Sequence, residues 1–241
     1  MKEQKLNNQL QDALRAPLKR KSFLKYTAIS GAAMIIGLDS CTKSNNGYSS
    51  SNTTPIDVGA GDTGILNFAY ALEQLEAAFY TKVNASFYAG ITPAEQSILT
   101  DIWYHEIIHR NFFKAALGTS AIATLEFDFS KIDFTSRASV LGTAKALEDT
   151  GVSAYNGAGA YITSSDYLTL AGKIVSVEAR HASAIRDLLS PKTASFAGDD
   201  VVDPVSGLDF SRTPNSTTGG PSIVATANTF LKTKISATKL P

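Results

Sequence analysis

The stretch Trp103-Tyr104-His105-Glu106-Ile107-Ile108-His109-Arg110-Asn111-Phe112 carries a glutamate and a histidine three residues apart, and that spacing returns at Glu178 and His181 in Val177-Glu178-Ala179-Arg180-His181-Ala182-Ser183-Ala184-Ile185. On a helix, residues three apart lie about 60° apart around the axis, so Glu106 with His109, and Glu178 with His181, can each face one ion. Each pair is half of a site. A second repeat precedes each half: Ala71-Leu72-Glu73 with Tyr80 seven residues on, and Ala146-Leu147-Glu148 with Tyr155 seven residues on. The order along the chain is Glu, Glu-x-x-His, Glu, Glu-x-x-His.

Helical periodicity surrounds all four parts. Ile65, Ala69, Leu72, Phe79 and Val83 recur at the spacing of an amphipathic helix, with Asp62 or Thr63 as its cap. Thr92-Pro93-Ala94-Glu95 opens a second helix with a capping box and a proline in the first turn, and Gly118 closes it after Leu117. A crossover of roughly 15 residues leads to a third pattern from Thr135 toward Tyr161, weakened by Gly151, Gly157 and Gly159. The fourth runs from about Asp166 to Leu189, between the caps Ser164-Ser165 and Pro191. The expected fold is all-α: a four-helix bundle over residues 62–190 with a long crossover between helices 2 and 3. An irregular C-terminal extension follows over 191–241, with a short fifth helix within Ile223 to Leu231.

The polar groups fall on the apolar faces. Glu73 lies on the Ala69, Leu72, Phe79 stripe, Glu106 and His109 continue the Ile102, Phe113, Ala116 stripe, Glu148 follows Leu141 and Ala144, and His181 sits between Ile174 and Ile185. Burying four carboxylates and two imidazoles without partners costs several kcal/mol per ionised group, and a cation offers the simplest compensation. Glu73, Glu106, His109, Glu148, Glu178 and His181 form the ligand set of di-iron and di-manganese bundles, two iron ions being the first expectation and manganese the alternative.

Leu66 to Tyr80, LNFAYALEQLEAAFY, together with WYHEIIHRNF and VEARHASAI, resembles the ferritin-like domain family that includes the desiccation-related proteins. Four long helices with one extended crossover match the connectivity of ferritin-like bundles. The resemblance implies a four-helix bundle and a di-iron centre, and it speaks to fold and site more than to a reaction.

Several residues have two readings. Glu76 also lies near the inward stripe and is a candidate additional ligand, but Gly151 occupies the matching place in the second repeat, so Glu73 is preferred. Tyr80 and Tyr155 are either core aromatics or donors that orient the ligand carboxylates. His105, Glu106 and His109 also satisfy the zinc-peptidase pattern of two histidines four apart around a glutamate. A peptidase has no need of the duplicated half-site, and Val177 stands where a second His105 would be, which leaves His105 beside the site or on the surface. Arg110 and Arg180 are expected to be solvated, and Trp103 to pack.

Composition narrows the partners. The segment from Cys41 onward holds 15 basic and 19 acidic residues, with no basic stripe for a phosphate backbone, so nucleic acid is not expected. The single cysteine, Cys41, excludes an intramolecular disulfide and any thiolate metal site. The first 25 residues hold seven Lys/Arg against two Asp/Glu, and an apolar run from Thr27 to Leu38 follows, about a dozen residues and too short to cross a bilayer. This reads as a signal peptide over residues 1–41. Arg20 to Lys25, RKSFLK, resembles the twin-arginine export pattern with Lys21 in place of the second arginine, and general secretion is the other route. Leu38-Asp39-Ser40-Cys41 looks like a lipoprotein cleavage box, with Cys41 lipidated and holding the protein to the membrane of the cell envelope. Residues 42–61, rich in Ser, Asn, Thr and Gly, are expected to form a disordered tether.

The functional expectation is an exported di-metal protein reacting with oxygen or peroxide. The alternatives are a stress-protective envelope lipoprotein whose metal serves stability alone, and a zinc peptidase. Nothing in the sequence sets the oligomeric state.

Overall fold

The computed structural model describes residues 54–241 apart from 204, 206, 218 and 219. The signal peptide, Cys41 and most of the tether therefore lie outside the described residues. Four long helices run as α1 (Gly61–Ala85), α2 (Pro93–Leu117), α3 (Arg137–Gly159) and α4 (Ser165–Leu189), followed by a short α5 (Ile223–Asn228). Two-residue strands β1 (Ile56–Asp57) and β2 (Ile235–Ser236) pair in parallel, Ile56 beside Ile235. This pairing of the two ends of the domain has no sequence signal, because each strand is too short to show alternation. It also ends the expected tether early, since the chain is hydrogen-bonded from Ile56 on and Val58 is buried.

The caps mostly follow the sequence. Thr92 and Glu95 form the reciprocal box at the start of α2, with Glu95 N donating to Thr92 Oγ1 at 3.2 Å and Thr92 N to Glu95 Oε2 at 2.9 Å. Ser136 and Ser164 cap α3 and α4. At α1 the expectation fails: Ala60 is the N-cap and supplies no side-chain bond. Asp62 reaches across to the entry of α4 instead, accepting from the backbone of Thr163 at 2.8 Å and of Ser164 at 2.9 Å.

Nor does α1 show a simple stripe. It is buried without a break from Gly64 to Ala77, as befits a helix covered on all sides. α2 and α3 cover one side, and the crossover 118–136 covers the other. Buried Asn67 donates to the Ser120 carbonyl at 2.9 Å and accepts from Ile122 N at 2.9 Å, while Gln74 accepts from Leu125 N at 2.9 Å. The two amides thus clasp crossover backbone, and at buried Leu125 the bond satisfies an N–H that would otherwise lack a partner. Phe129 plugs the crossover against Phe79, with centroids 6.2 Å apart, and against Phe230 of the C-terminal segment at the same separation.

Of the three glycines expected to weaken α3, Gly151 and Gly157 are points of close approach, while Gly159 makes only ordinary contact. A Cβ on Gly157 would collide with the backbone of Arg212, whose N–H donates to the Ser153 carbonyl at 3.0 Å. A Cβ on Gly151 would lie 3.2 Å from Glu76 Oε1. The helix continues through both because tertiary contacts outweigh the propensity cost of about 1 kcal/mol per glycine.

Candidate metal centre

Each long helix delivers its polar residues to one interior region. Glu73 comes from α1, Glu106 and His109 from α2, Glu148 from α3, and Glu178 and His181 from α4. Glu73, Glu106 and Glu148 are fully buried, and Glu178, His181 and His109 are 1%, 4% and 8% exposed. The expected inward aim of all six is what the structure shows. Candidate ligand atoms of Glu73, Glu106, His109 and Glu178 lie within 4.8 Å of one another, and so do those of Glu106, Glu148, Glu178 and His181. The two groups overlap at Glu106 and Glu178.

The histidines are placed by mirrored contacts. His109 Nδ1 lies 2.6 Å from Glu178 Oε1, 3.4 Å from Glu73 Oε2 and 3.9 Å from Glu106 Oε2. His181 Nδ1 lies 2.9 Å from Glu106 Oε1, 3.1 Å from Glu178 Oε2 and 3.5 Å from Glu148 Oε2. Each imidazole therefore faces both shared carboxylates and one further glutamate. The tyrosines complete the mirror crosswise: Tyr80 on α1 donates to Glu148 Oε1 at 2.5 Å, and Tyr155 on α3 donates to Glu73 Oε1.

Electrostatics shows how strongly the cluster calls for positive charge. Burial pulls the His109 imidazolium down, but Glu73 and Glu178 outweigh it and push its pKa up to about 11. Burial likewise opposes Glu148 and Glu178 at His181, and the carboxylates again win, at about 10. Burial raises Glu178, yet the two histidines hold it down at about 2. Glu106 is pushed well above the usual carboxylate range, by burial first and then by repulsion from Glu178, Glu73 and Glu148. Burial and the adjacent Glu148 or Glu73 raise Tyr80 and Tyr155 in turn, so both remain protonated donors.

Protons alone leave the cluster poorly satisfied. Glu73 Oε2, both oxygens of Glu106, Glu148 Oε2, Glu178 Oε1 and His109 Nδ1 are buried without a well-directed hydrogen bond. Buried polar atoms of native proteins rarely lack partners, and here six do so in one place. Carboxylate oxygens with imidazole nitrogens are the donor set of hard or borderline divalent ions, so these residues fit a metal centre.

The chain belongs to the ferritin-like domain family. The family model matches residues 61–191, the span of α1 to α4. Among curated proteins, none matches the chain.

The remaining residues sort themselves by contact. Glu76 of the ferritin-like bundle is buried but stands outside both ligand groups, facing Gly151. Burial, then the four neighbouring glutamates, raise its pKa well above the usual carboxylate range. The repeats explain this: positions 76 and 151 face each other, and the glycine on one side leaves room for the glutamate on the other. His105 is also outside both groups, and its Nδ1 meets Nε2 of His181 at 2.8 Å. The peptidase geometry, with His105 and His109 converging on one ion, is therefore not formed. Among the described residues Arg110 bonds Asn111 and Arg180 bonds Ser176, and neither reaches the centre. Trp103 packs on α1 with its indole N–H on Thr81 Oγ1 at 3.0 Å.

Arg186 has no distinctive sequence signal. It is buried, holding Asp149 Oδ2 at 2.6 Å and Asp200 Oδ1 at 2.6 Å. It thereby ties α4 to α3 one residue past Glu148. Only its partner's place beside a ligand hinted at this, since an Arg near a helix C-terminus is usually solvated.

Proposed function

We propose that this protein is an exported di-iron carboxylate protein that reacts with dioxygen or hydrogen peroxide. The observation that carries the reading is the pair of overlapping ligand groups sharing Glu106 and Glu178, with six buried polar atoms left without directed bonds. Such an overlap suits two adjacent cations: Glu73 and His109 would hold one, Glu148 and His181 the other, and Glu106 and Glu178 would be available to both. Manganese fits the same donors. Bound here as a ferrous pair, iron would supply two electrons on becoming ferric, enough with two protons to take dioxygen to hydrogen peroxide or hydrogen peroxide to two waters.

The chain's own residues set the conditions. Tyr155 and Tyr80 each occupy one oxygen of Glu73 and Glu148, which leaves Oε2 of each to face the centre. With a metal bound, His181 would ligate through Nδ1 and keep its proton on Nε2, 2.8 Å from His105 Nδ1, which could accept it. The packed core excludes bulk water, which strengthens every charge interaction inside.

Anaerobic addition of ferrous iron to the purified domain, followed by an oxygen pulse, should give a ferric absorption band that saturates at two equivalents. A flat response would retire the redox reading. The lipid anchor at Cys41 and the envelope location rest on the sequence pattern alone, and labelling with a radioactive fatty acid in wild type but not in Cys41→Ser tests them.

The deep burial of all six ligands favours one further reading, a stress-protective scaffold that holds metal for stability. A large metal-dependent rise in melting temperature without oxygen reactivity would support it.

A further inference from the structure

At the end of the bundle where α1 and α4 begin and α2 and α3 finish, the four helices line an apolar chamber of about 30 Å³ that opens to the surface. Its inner wall is built from Ala69, Phe113, Tyr155 and Ile174, and its outer end from Ala158 and Ala171, the latter half-buried at the surface. The inner residues are tied to the centre by helical register. Ala69 is four residues before Glu73, Phe113 four after His109, and Ile174 four before Glu178, so each lies about 6 Å along its helix from a ligand. Tyr155 closes the link directly, since its hydroxyl is bonded to Glu73 while its ring lies 6.3 Å from that of Phe113.

A space of this size would hold a water, but a buried water needs two to four polar partners. The lining offers almost none, because Tyr155, the polar group nearest the centre, already spends its hydroxyl on Glu73. Apolar cavities of this kind stay dry and take up apolar guests. An apolar guest of two heavy atoms fits.

We propose that this chamber is a binding site for dioxygen, which reaches the metal centre from the Ala171 end past Ala158 to the Tyr155–Phe113 wall. The inference rests on the oxygen reactivity proposed above. It also explains why small residues, among them Ala69, Ala154, Ala158 and Ala171, stand between the large apolar residues of the lining.

Xenon is the probe, because it reports the chamber without any metal or turnover. Crystals of the metal-free protein under xenon pressure should show one xenon atom among Ala69, Phe113, Tyr155 and Ile174, and Ala158→Leu should remove it. The same substitution should slow oxidation of the ferrous-loaded protein by dioxygen by about tenfold or more, the effect of a filled apolar pocket, with iron content unchanged. Ala171→Leu at the half-exposed mouth gives a second test if Ala158→Leu does not fold. An empty chamber under xenon, or folded and iron-loaded variants that oxidise as fast as the parent, overturns the proposal. A parent that binds xenon but whose ferrous form is inert to oxygen overturns the redox function and, with it, the assignment of the guest as dioxygen.

Discussion

Tyr155 of α3 donates its hydroxyl to Glu73 of α1, and Tyr80 of α1 returns the same bond to Glu148 of α3. Each repeat therefore orients the carboxylate of the other. Neither half-site is complete within its own helical hairpin, and the centre forms only when α1/α2 and α3/α4 are docked. Tyr155→Phe and Tyr80→Phe each strand a buried carboxylate oxygen. Each should weaken metal binding by about 10- to 100-fold, the usual loss when an outer partner of a ligand is removed. Competition with a chromophoric chelator measures it, and unchanged affinity in both variants would show the tyrosines to be packing groups only.

Glu106 and Glu178 belong to both ligand groups, whereas Glu73 and Glu148 belong to one each. Glu106→Ala should therefore cost more bound metal per chain than Glu73→Ala, which elemental analysis of the purified variants reads directly. The metal-free proteins should rank the other way. Removing one of several mutually repelling buried carboxylates relieves desolvation and repulsion, so Glu106→Gln should raise metal-free stability by about 1 kcal/mol or more in urea unfolding. Equal metal loss from Glu106→Ala and Glu73→Ala would argue against shared ligation.

Stability should depend on pH in opposite senses with and without metal. In the metal-free protein His109 and His181 hold protons up to about 11 and 10, against about 6.5 unfolded. Their contribution is complete below about pH 6.5 and is lost as pH rises through those higher values. Glu106 and Glu76, pushed upward, add the same sign from about pH 4.5. Glu178, held at about 2, contributes above its unfolded value and is lost only as pH falls toward 2. Metal must displace the histidine protons, so its affinity grows with pH. The rise in melting temperature on adding metal should be larger at pH 8 than at pH 6, and proton release on binding should appear in calorimetry across buffers of different ionisation enthalpy. A metal-induced rise that is the same at both pH values would mean that the histidines are not ligands.

The doubled Glu and Glu-x-x-His pattern made the bundle and its six inward residues legible, because spacing on a helix fixes direction. Crosswise pairing was not legible: Tyr80 and Tyr155 repeat in sequence, but whether each serves its own helix or the other depends on how the hairpins dock. Gly151 and Gly157 read as weaknesses in α3, since propensity counts the missing side chain and cannot see what fills its place. β1 and β2, two residues each, and the burial of α1 under the crossover depend on contacts far apart in the chain. Asn67 and Gln74, ordinary polar residues in sequence, became the clasps of that crossover.

The glycines of α3 should separate accordingly. Gly142 has open space around its missing Cβ, so Gly142→Ala should stabilise by about 0.5–1 kcal/mol through helix propensity. Gly157→Ala must displace the Arg212 backbone and its bond to Ser153, and should destabilise by about 1–3 kcal/mol despite the same propensity gain. Chemical denaturation of the two variants decides this. Stabilisation by both would mean that the segment around Arg212 does not pack on α3 in solution.

His105 and His181 touch at 2.8 Å, yet only His181 has carboxylates around its other nitrogen. Two chemistries therefore predict opposite orders of damage. In a bundle centre His105 fixes the tautomer and tilt of His181, so His105→Ala should leave the number of ions per chain unchanged and lower affinity by about tenfold. His181→Ala removes a ligand and should cost bound metal outright. In a zinc-peptidase arrangement His105 and His109 would share one ion, so His105→Ala would abolish binding and His181→Ala would spare it. Metal per chain in the two single variants, measured at equal metal excess, distinguishes the two. Loss of all metal from His105→Ala with full retention in His181→Ala would reverse the assignment of the centre.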